Sequence, residues 1–159
     1  WDTLPRSVVV FGAGVIGLEL GQALHRLGVR VRIFGRGGAV GPLSDPAVKA
    51  AARDAFQKEL SLDPEARVRG VRLGGDGVLV ELEDAEGTLH METFEYALVA
   101  AGRRPNLGGL HLEKAGVSFD ARGLPVFDPA TLQCVGVPIF LAGDVNDAAP
   151  LLHEAADDG

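Results

Sequence analysis

An apolar strand, a glycine-marked turn and an amphipathic helix follow one another without interruption in SVVVFGAGVIGLELGQALHRL, Ser7 to Leu27. Val8, Val9, Val10 and Phe11 form a run suited to a sheet covered on both faces. The turn is Gly12-x-Gly14-x-x-Gly17. Gly12 permits a tight bend, Gly14 lets the backbone approach a pyrophosphate, and Gly17 lets the helix pack close to the sheet. Phosphates would sit on the unpaired N–H groups at the positive end of the helix dipole. Ile16, Leu20, Leu24 and Leu27 recur at helical spacing, which predicts one buried stripe and leaves Gln22, His25 and Arg26 elsewhere. A strand before the glycines and a helix after them supply context that the bare spacing lacks. That context favours a dinucleotide site over a merely structural turn.

A chain of 159 residues, 47% of them apolar, can bury a real core. Its formal charge of −7, with arginines scattered among more numerous acids, argues against a nucleic-acid surface. No apolar run has membrane-spanning length and no secretory signal is visible, so the expected location is cytoplasmic. Cys134 is the only cysteine, which rules out an internal disulfide and leaves it as a small buried hydrophobe. His25, His90, His111 and His153 form no metal-ligand pattern.

In Val29 to Phe34, Val29, Val31 and Ile33 alternate with Arg30 and Arg32, the period of a strand with one less buried face. An Asp or Glu at the end of such a strand accepts hydrogen bonds from the adenosine ribose in NAD-preferring sites. This chain has Gly35 there, followed by Arg36. A guanidinium without a neighbouring carboxylate can hold a 2′-phosphate, so NADP(H) is favoured with NAD(H) left open. The alternative is that Arg36 is a solvated loop residue. Ser44 or Asp45 then caps a helix with Pro46 in its first turn; Val48, Ala51, Ala52, Ala55, Phe56 and Leu60 give it an apolar side, and Asp63-Pro64 ends it.

From Ala66 the period becomes two. Three short strands, around Val68 to Leu73, Val78 to Leu82 and Leu89 to Phe94, are separated by Gly- and Asp-rich turns. The expected fold is therefore α/β, a Rossmann-like parallel sheet with an inserted three-stranded antiparallel meander. YALVAAG at 96 to 102 reads as a further buried strand, parallel, whose end faces the crevice. Beyond Asn106 the sequence is irregular, with Leu124 to Phe127 expected at an edge. Ile139 to Asp144 reads as a strand delivering Gly143 and Asp144, and LLHEAADDG at 151 to 159 as the opening of a helix.

GAGVIGLELG at 12 to 21, AAGRRPN at 100 to 106 and IFLAGDVN at 139 to 146 together resemble the pyridine-nucleotide disulfide oxidoreductases, in particular the dihydrolipoamide dehydrogenase group. The resemblance covers essentially the whole chain. It implies an NAD(P)H-binding domain over 1–106, and over 107–159 the rest of that domain with a returning segment of an FAD domain. The flavin half with its redox cysteine pair and the dimerisation domain have no counterpart in this sequence. By the same resemblance, Gly12, Ala13, Gly14, Val15, Ile16 and Gly17 bind the pyrophosphate and approach the nicotinamide, and Glu19 pairs with a lysine of the FAD domain. Glu19 is equally explained as a carboxylate stabilised near a helix N-terminus.

Val68 corresponds to a position whose backbone meets the adenine, with a plain core valine as the alternative. Ala101 and Gly102 correspond to the loop along the nicotinamide half. Arg103 and Arg104 are phosphate contacts or surface charges with equal weight. Asp144, with Gly143 before it, corresponds to the carboxylate that hydrogen-bonds the FAD ribityl chain. His153-Glu154 receives no catalytic role, and no catalytic residue is assigned. The implied parent is a homodimeric flavoenzyme moving hydride between NAD(P)H and FAD; the chain by itself would bind NAD(P)H and turn nothing over. Two other readings are a non-catalytic nucleotide-binding module and a flavoprotein reductase without a redox disulfide.

Overall fold

The computed structural model describes residues 3–75 and 77–146. The helix expected at 151–159 and the His153-Glu154 pair lie outside the described residues. The chain divides into two compact units, Trp1–Gly102 and Arg103–Gly159.

The first unit holds every named strand. β1 (Ser7–Phe11), β2 (Arg30–Phe34), β3 (Ser61–Asp63) and β7 (Tyr96–Val99) form a four-stranded sheet in the order β3-β2-β1-β7. All of its ladders are parallel, with Val8 opposite both Val31 and Tyr96. The order changes direction at β1, so a crevice opens at that strand's carboxyl end, where ligands bind in open α/β sheets. β4 (Arg67–Gly74), β5 (Gly77–Glu83) and β6 (Leu89–Phe94) make the separate antiparallel meander. The parallel sheet and the inserted meander are those expected, but β7, expected to be buried, is an edge strand with Tyr96 and Val99 exposed.

α1 (Val15–Arg26) and α2 (Pro46–Glu59) complete this unit. α1 does not bury the stripe its apolar spacing suggests. Gly17, Leu18 and Gly21 face the sheet with Leu24 partly buried beside them, while Ile16, Leu20 and Leu27 are exposed. The cause is close approach: a Cβ on Gly21 would stand 2.7 Å from Ile33 Cδ1. The small residues bring the helix down, and the large ones are left outside.

Asp45 is the cap of α2, its Oδ1 accepting from the N–H groups of Ala47 and Val48 at 2.9 Å each. That helix packs only through the partly buried Ala52 and Phe56, and its Val48 is exposed. It ends at Glu59 rather than at Asp63-Pro64, because Ser61–Asp63 pair with β2 as the short strand β3. Arg26 and Gln22 of α1 both donate to the Glu59 carboxylate, and the Arg26 hydrogen bond above all holds that carboxyl below its ordinary value.

Two apolar clusters lie on opposite faces of the parallel sheet. Val8, Val10, Val31 and Ile33 pack with Leu18, Leu60 and Leu62, and Val9 and Phe34 pack with Val78, Val80, Leu82 and Phe94 of the meander. The arginines that alternate along β2 are met by the meander. Arg30 lies over the Phe94 ring at 4.5 Å and donates to Thr93 O, and Arg32 pairs with Glu92 beside the Phe34 ring.

The second unit has no named strand among its described residues. Isolated bridges join Phe119 to Pro125, Phe127 to Cys134 and Gln133 to Phe140. Cys134 is buried with Val117 and Leu141, as a small hydrophobe. Ile139–Leu141, expected as a strand, is part of no named strand. It runs antiparallel to 132–134 through Cys134 N–H to Ile139 O at 2.7 Å and Leu141 N–H to Leu132 O at 2.9 Å, and Phe140 is exposed. An apolar run states that a segment prefers extended backbone, but its ladder partner is fixed elsewhere in the chain. A 3₁₀ turn over Gly143–Asn146 follows directly.

Candidate functional site

The glycine turn sits at the carboxyl end of β1 and is stitched to its neighbours by backbone bonds. Gly12 N–H donates to Phe34 O at 2.8 Å, Ala100 N–H to Phe11 O at 2.7 Å, and Gly41 N–H to Ala13 O at 2.7 Å. The last of these brings the glycine-rich 35–44 loop back against the turn, with Val40 and Ala13 buried there. Neither Ala100 nor Gly41 was legible as part of the site, because a backbone donor carries no side-chain signature.

The three glycines stand in three different environments. Gly12 has φ +115°, and a Cβ on it would lie 2.2 Å from Ala100 O. A Cβ on Gly17 would lie 1.9 Å from Gly12 O, so the helix start rests directly on the turn. Gly14 has an ordinary φ of −75°, and nothing lies within 4 Å of where its Cβ would be. Conformation and packing explain Gly12 and Gly17, whereas neither explains Gly14. Its open side is the approach that a bulky group needs to reach the backbone.

Gly14 is also the N-cap of α1 and offers no side-chain cap, and the first helical bond runs from Leu18 N–H to Gly14 O at 3.0 Å. The amides of Val15, Ile16 and Gly17 therefore have no helical acceptor and stand at the positive end of the helix. There is no acidic residue in the first turn of α1 to neutralise that end. Such an end suits an anion such as a diphosphate.

Around this cradle, Val15, Ile16 and Glu19 are exposed on α1. Ala101 and Gly102 are exposed beyond β7, and Ala101 N lies 3.1 Å from where a Gly12 Cβ would be, so this loop borders the turn. Arg36 is exposed beyond β2, and its side chain makes no hydrogen bond or ion pair among the described residues. Val68 of β4 pairs with Leu82 of β5 and is partly buried against the meander cluster, beside the irregularity between Val68 and Gly70. In the second unit, Asp144 stands in the 3₁₀ turn after the buried Gly143, whose φ is +76°. Arg103 Nη1 lies 3.7 Å from Asp144 Oδ2, with both side chains more than half exposed. The structure thus brings together 12–17 and 100–101, with 35–44 behind them.

The family model for pyridine nucleotide-disulphide oxidoreductases matches residues 2–159. The chain belongs to this family. Dihydrolipoyl dehydrogenase of Thermus scotoductus is 37% identical to this chain over 160 residues, covering 99% of this chain and 34% of the relative. Among solved structures, LpdA of Mycobacterium tuberculosis superposes with a TM-score of 0.81 at 30% identity, over 99% of this chain and 34% of that one. The flavoprotein disulfide reductase RclA of Escherichia coli gives a TM-score of 0.84 at 24% identity, over 99% of this chain and 35% of its own, a likeness of fold. The chain spans about a third of the length of the relatives it matches. No described helix is long and apolar enough to cross a membrane.

Proposed function

We propose that this chain is the nicotinamide-nucleotide domain of a dihydrolipoamide dehydrogenase-like flavoenzyme, with residues 1–106 holding NAD(P)H and 107–159 completing that domain and returning to an FAD domain. The observation that carries the reading is the open side of Gly14 above a bend that Gly12 and Gly17 close from beneath. That open side leaves room for a bulky group to reach the amides at the start of α1, which supports the reading. The coenzyme fits the residues present: amides at 14–17 for the diphosphate, Arg36 for a 2′-phosphate, the backbone at Val68 for the adenine and the Ala101-Gly102 loop along the nicotinamide half.

When bound, the nicotinamide supplies a hydride to a flavin or takes one from it, and the cofactors carry that chemistry. The chain's own work is to orient and to exclude water. The amides hold the diphosphate, Ile16 and Val15 present apolar surface near the ring, and Glu19 offers a carboxylate to a cation on the FAD domain. Asp144 would offer a hydrogen-bond acceptor to the flavin's ribityl chain, with Arg103 3.7 Å away as an exposed ion-pair partner. One acceptor and one glycine do not make a flavin site. Alone, the chain is expected to bind NAD(P)H without turnover; the cysteine pair that would receive the electrons would belong to the rest of the proposed parent.

Calorimetric titration with NADPH and NADH tests the binding, and a reductase assay with added free FAD tests the lack of turnover. Saturable binding without activity is the expected pair of results. Fast, saturable reduction by the chain alone would overturn the division of labour.

A further inference from the structure

Gly35 stands where a ribose-binding carboxylate would end β2, and the reason it is glycine is spatial. Its φ is not in the left-handed region, so conformation makes no demand for glycine. A Cβ there would lie 2.7 Å from Pro64 Cα, 2.9 Å from Pro64 O and 3.1 Å from Pro64 C. These are main-chain atoms that no side-chain rotation removes. The two segments are tied on both sides of the contact. Gly35 N–H donates to Asp63 O at 2.7 Å, Gly38 N–H donates to Pro64 O at 3.0 Å, and Phe34 is the ladder partner of Asp63. Pro64 is buried, and its ring fixes its own φ. Beyond the contact the chain turns through Gly37 and Gly38 at φ +63° and +70°, leaving Arg36 exposed on the turn.

We propose that Pro64 is a positioning residue for coenzyme choice. Its backbone fills the space of any side chain at position 35, which bars the carboxylate that would repel a 2′-phosphate. Arg36 is then the charged group at the end of β2, and the site takes the 2′-phosphorylated nicotinamide coenzyme. The proposal rests on the dinucleotide reading above and adds that selectivity here follows from packing between β2 and the residue after β3. A carboxylate placed at 35 by substitution displaces the loop before it can reach a ribose. The competing determinant is Glu65, whose Oε1 would lie 3.3 Å from a Cβ on Gly38.

The test is calorimetric titration of the chain with NADPH and with NADH, alongside thermal melts, for the wild type and for Arg36→Ala, Gly35→Glu, Gly35→Ala and Glu65→Gln. The wild type should favour NADPH, and Arg36→Ala should lower NADPH affinity by about tenfold or more with NADH little changed, the size expected for a charge-assisted contact. Gly35→Glu should weaken both coenzymes and gain nothing for NADH. Gly35→Ala, which adds no charge, should still melt several degrees lower, because the added methyl meets backbone. A Gly35→Glu variant that binds NADH more tightly than the wild type at an unchanged melting temperature would overturn the proposal. So would a wild type that prefers NADH and turns to NADPH on Glu65→Gln. Binding of neither coenzyme by the wild type would sink the dinucleotide reading itself, and the Gly35→Ala melt would then judge the steric contact on its own.

Discussion

Gly14→Ala and Gly17→Ala add the same methyl to the same turn and should have opposite consequences. At Gly17 the new Cβ falls 1.9 Å from Gly12 O and must retreat by about 1.5 Å to reach an ordinary contact of 3.4 Å. Both partners are backbone, so α1 has to lift from the sheet, and Val10 Cγ1 at 3.4 Å leaves no space to slide sideways. Overpacking of this kind costs about 1–3 kcal/mol, and a backbone clash belongs at the upper end. Alanine's better helix propensity returns up to about 1 kcal/mol. The net loss should be about 2 kcal/mol, on the order of 10 °C in melting temperature for a unit of this size.

At Gly14 the φ of −75° suits any residue and the space is empty. Stability should therefore fall by only about 0.5–1 kcal/mol, the difference between glycine and alanine at an N-cap. The methyl instead occupies the approach to the diphosphate, and NADPH affinity should fall by about tenfold or more, equivalent to about 1.4 kcal/mol. Thermal melts followed by circular dichroism and titration calorimetry read the two effects separately. A Gly14→Ala variant that binds NADPH as the wild type does would refute the reasoning, as would a Gly17→Ala variant of undiminished stability.

Asp45→Ala removes the acceptor for two amides of α2 and should cost about 1 kcal/mol in urea unfolding, with Asp45→Asn recovering most of it. Glu92→Ala leaves the half-buried Arg32 without its partner and should cost about 2 kcal/mol, whereas replacing Arg32 and Glu92 together by apolar residues should cost less than the single change. Asp84 in the β5–β6 turn accepts from His90 and from the N–H groups of Thr88 and Glu86, and these bonds, His90 first, hold its carboxyl below the ordinary 3.8. Because the folded value is the depressed one, the stability it contributes is present above the ordinary carboxylate range and is lost as pH falls through the folded value. Carboxyl carbon shifts should report an Asp84 midpoint below 3.8 that moves upward in His90→Ala.

The glycine turn of the candidate site was legible in the sequence through its spacing, and its surroundings were obscure where packing decides them. Gly12, Gly14 and Gly17 announce a turn and a close approach through their positions alone. The buried face of α1 was misread because a stripe of Ile16, Leu20 and Leu27 is conspicuous, while glycine's absence of bulk, which lets Gly17 and Gly21 meet the sheet, gives no hydropathic signal. β3 was missed because three residues between a helix and a proline are too short to show a period. The alternation of Arg30 and Arg32 revealed a distinct face of β2, but not that Phe94 and Glu92 would meet those arginines. Pro64 was read only as a helix stop, since its contact with Gly35 joins segments that sequence proximity does not connect.

If the chain binds its coenzyme as proposed, the amides between β1 and α1 receive the diphosphate. The most direct measurement is a titration of the ¹⁵N-labelled chain with NADPH, following each amide resonance. The largest saturable shifts should fall on Gly14, Val15, Ile16 and Gly17, with Gly14→Ala moving their saturation to about tenfold higher coenzyme or beyond. If those amides stay in place up to millimolar coenzyme, or if the shifts gather elsewhere on the chain, the central claim is wrong.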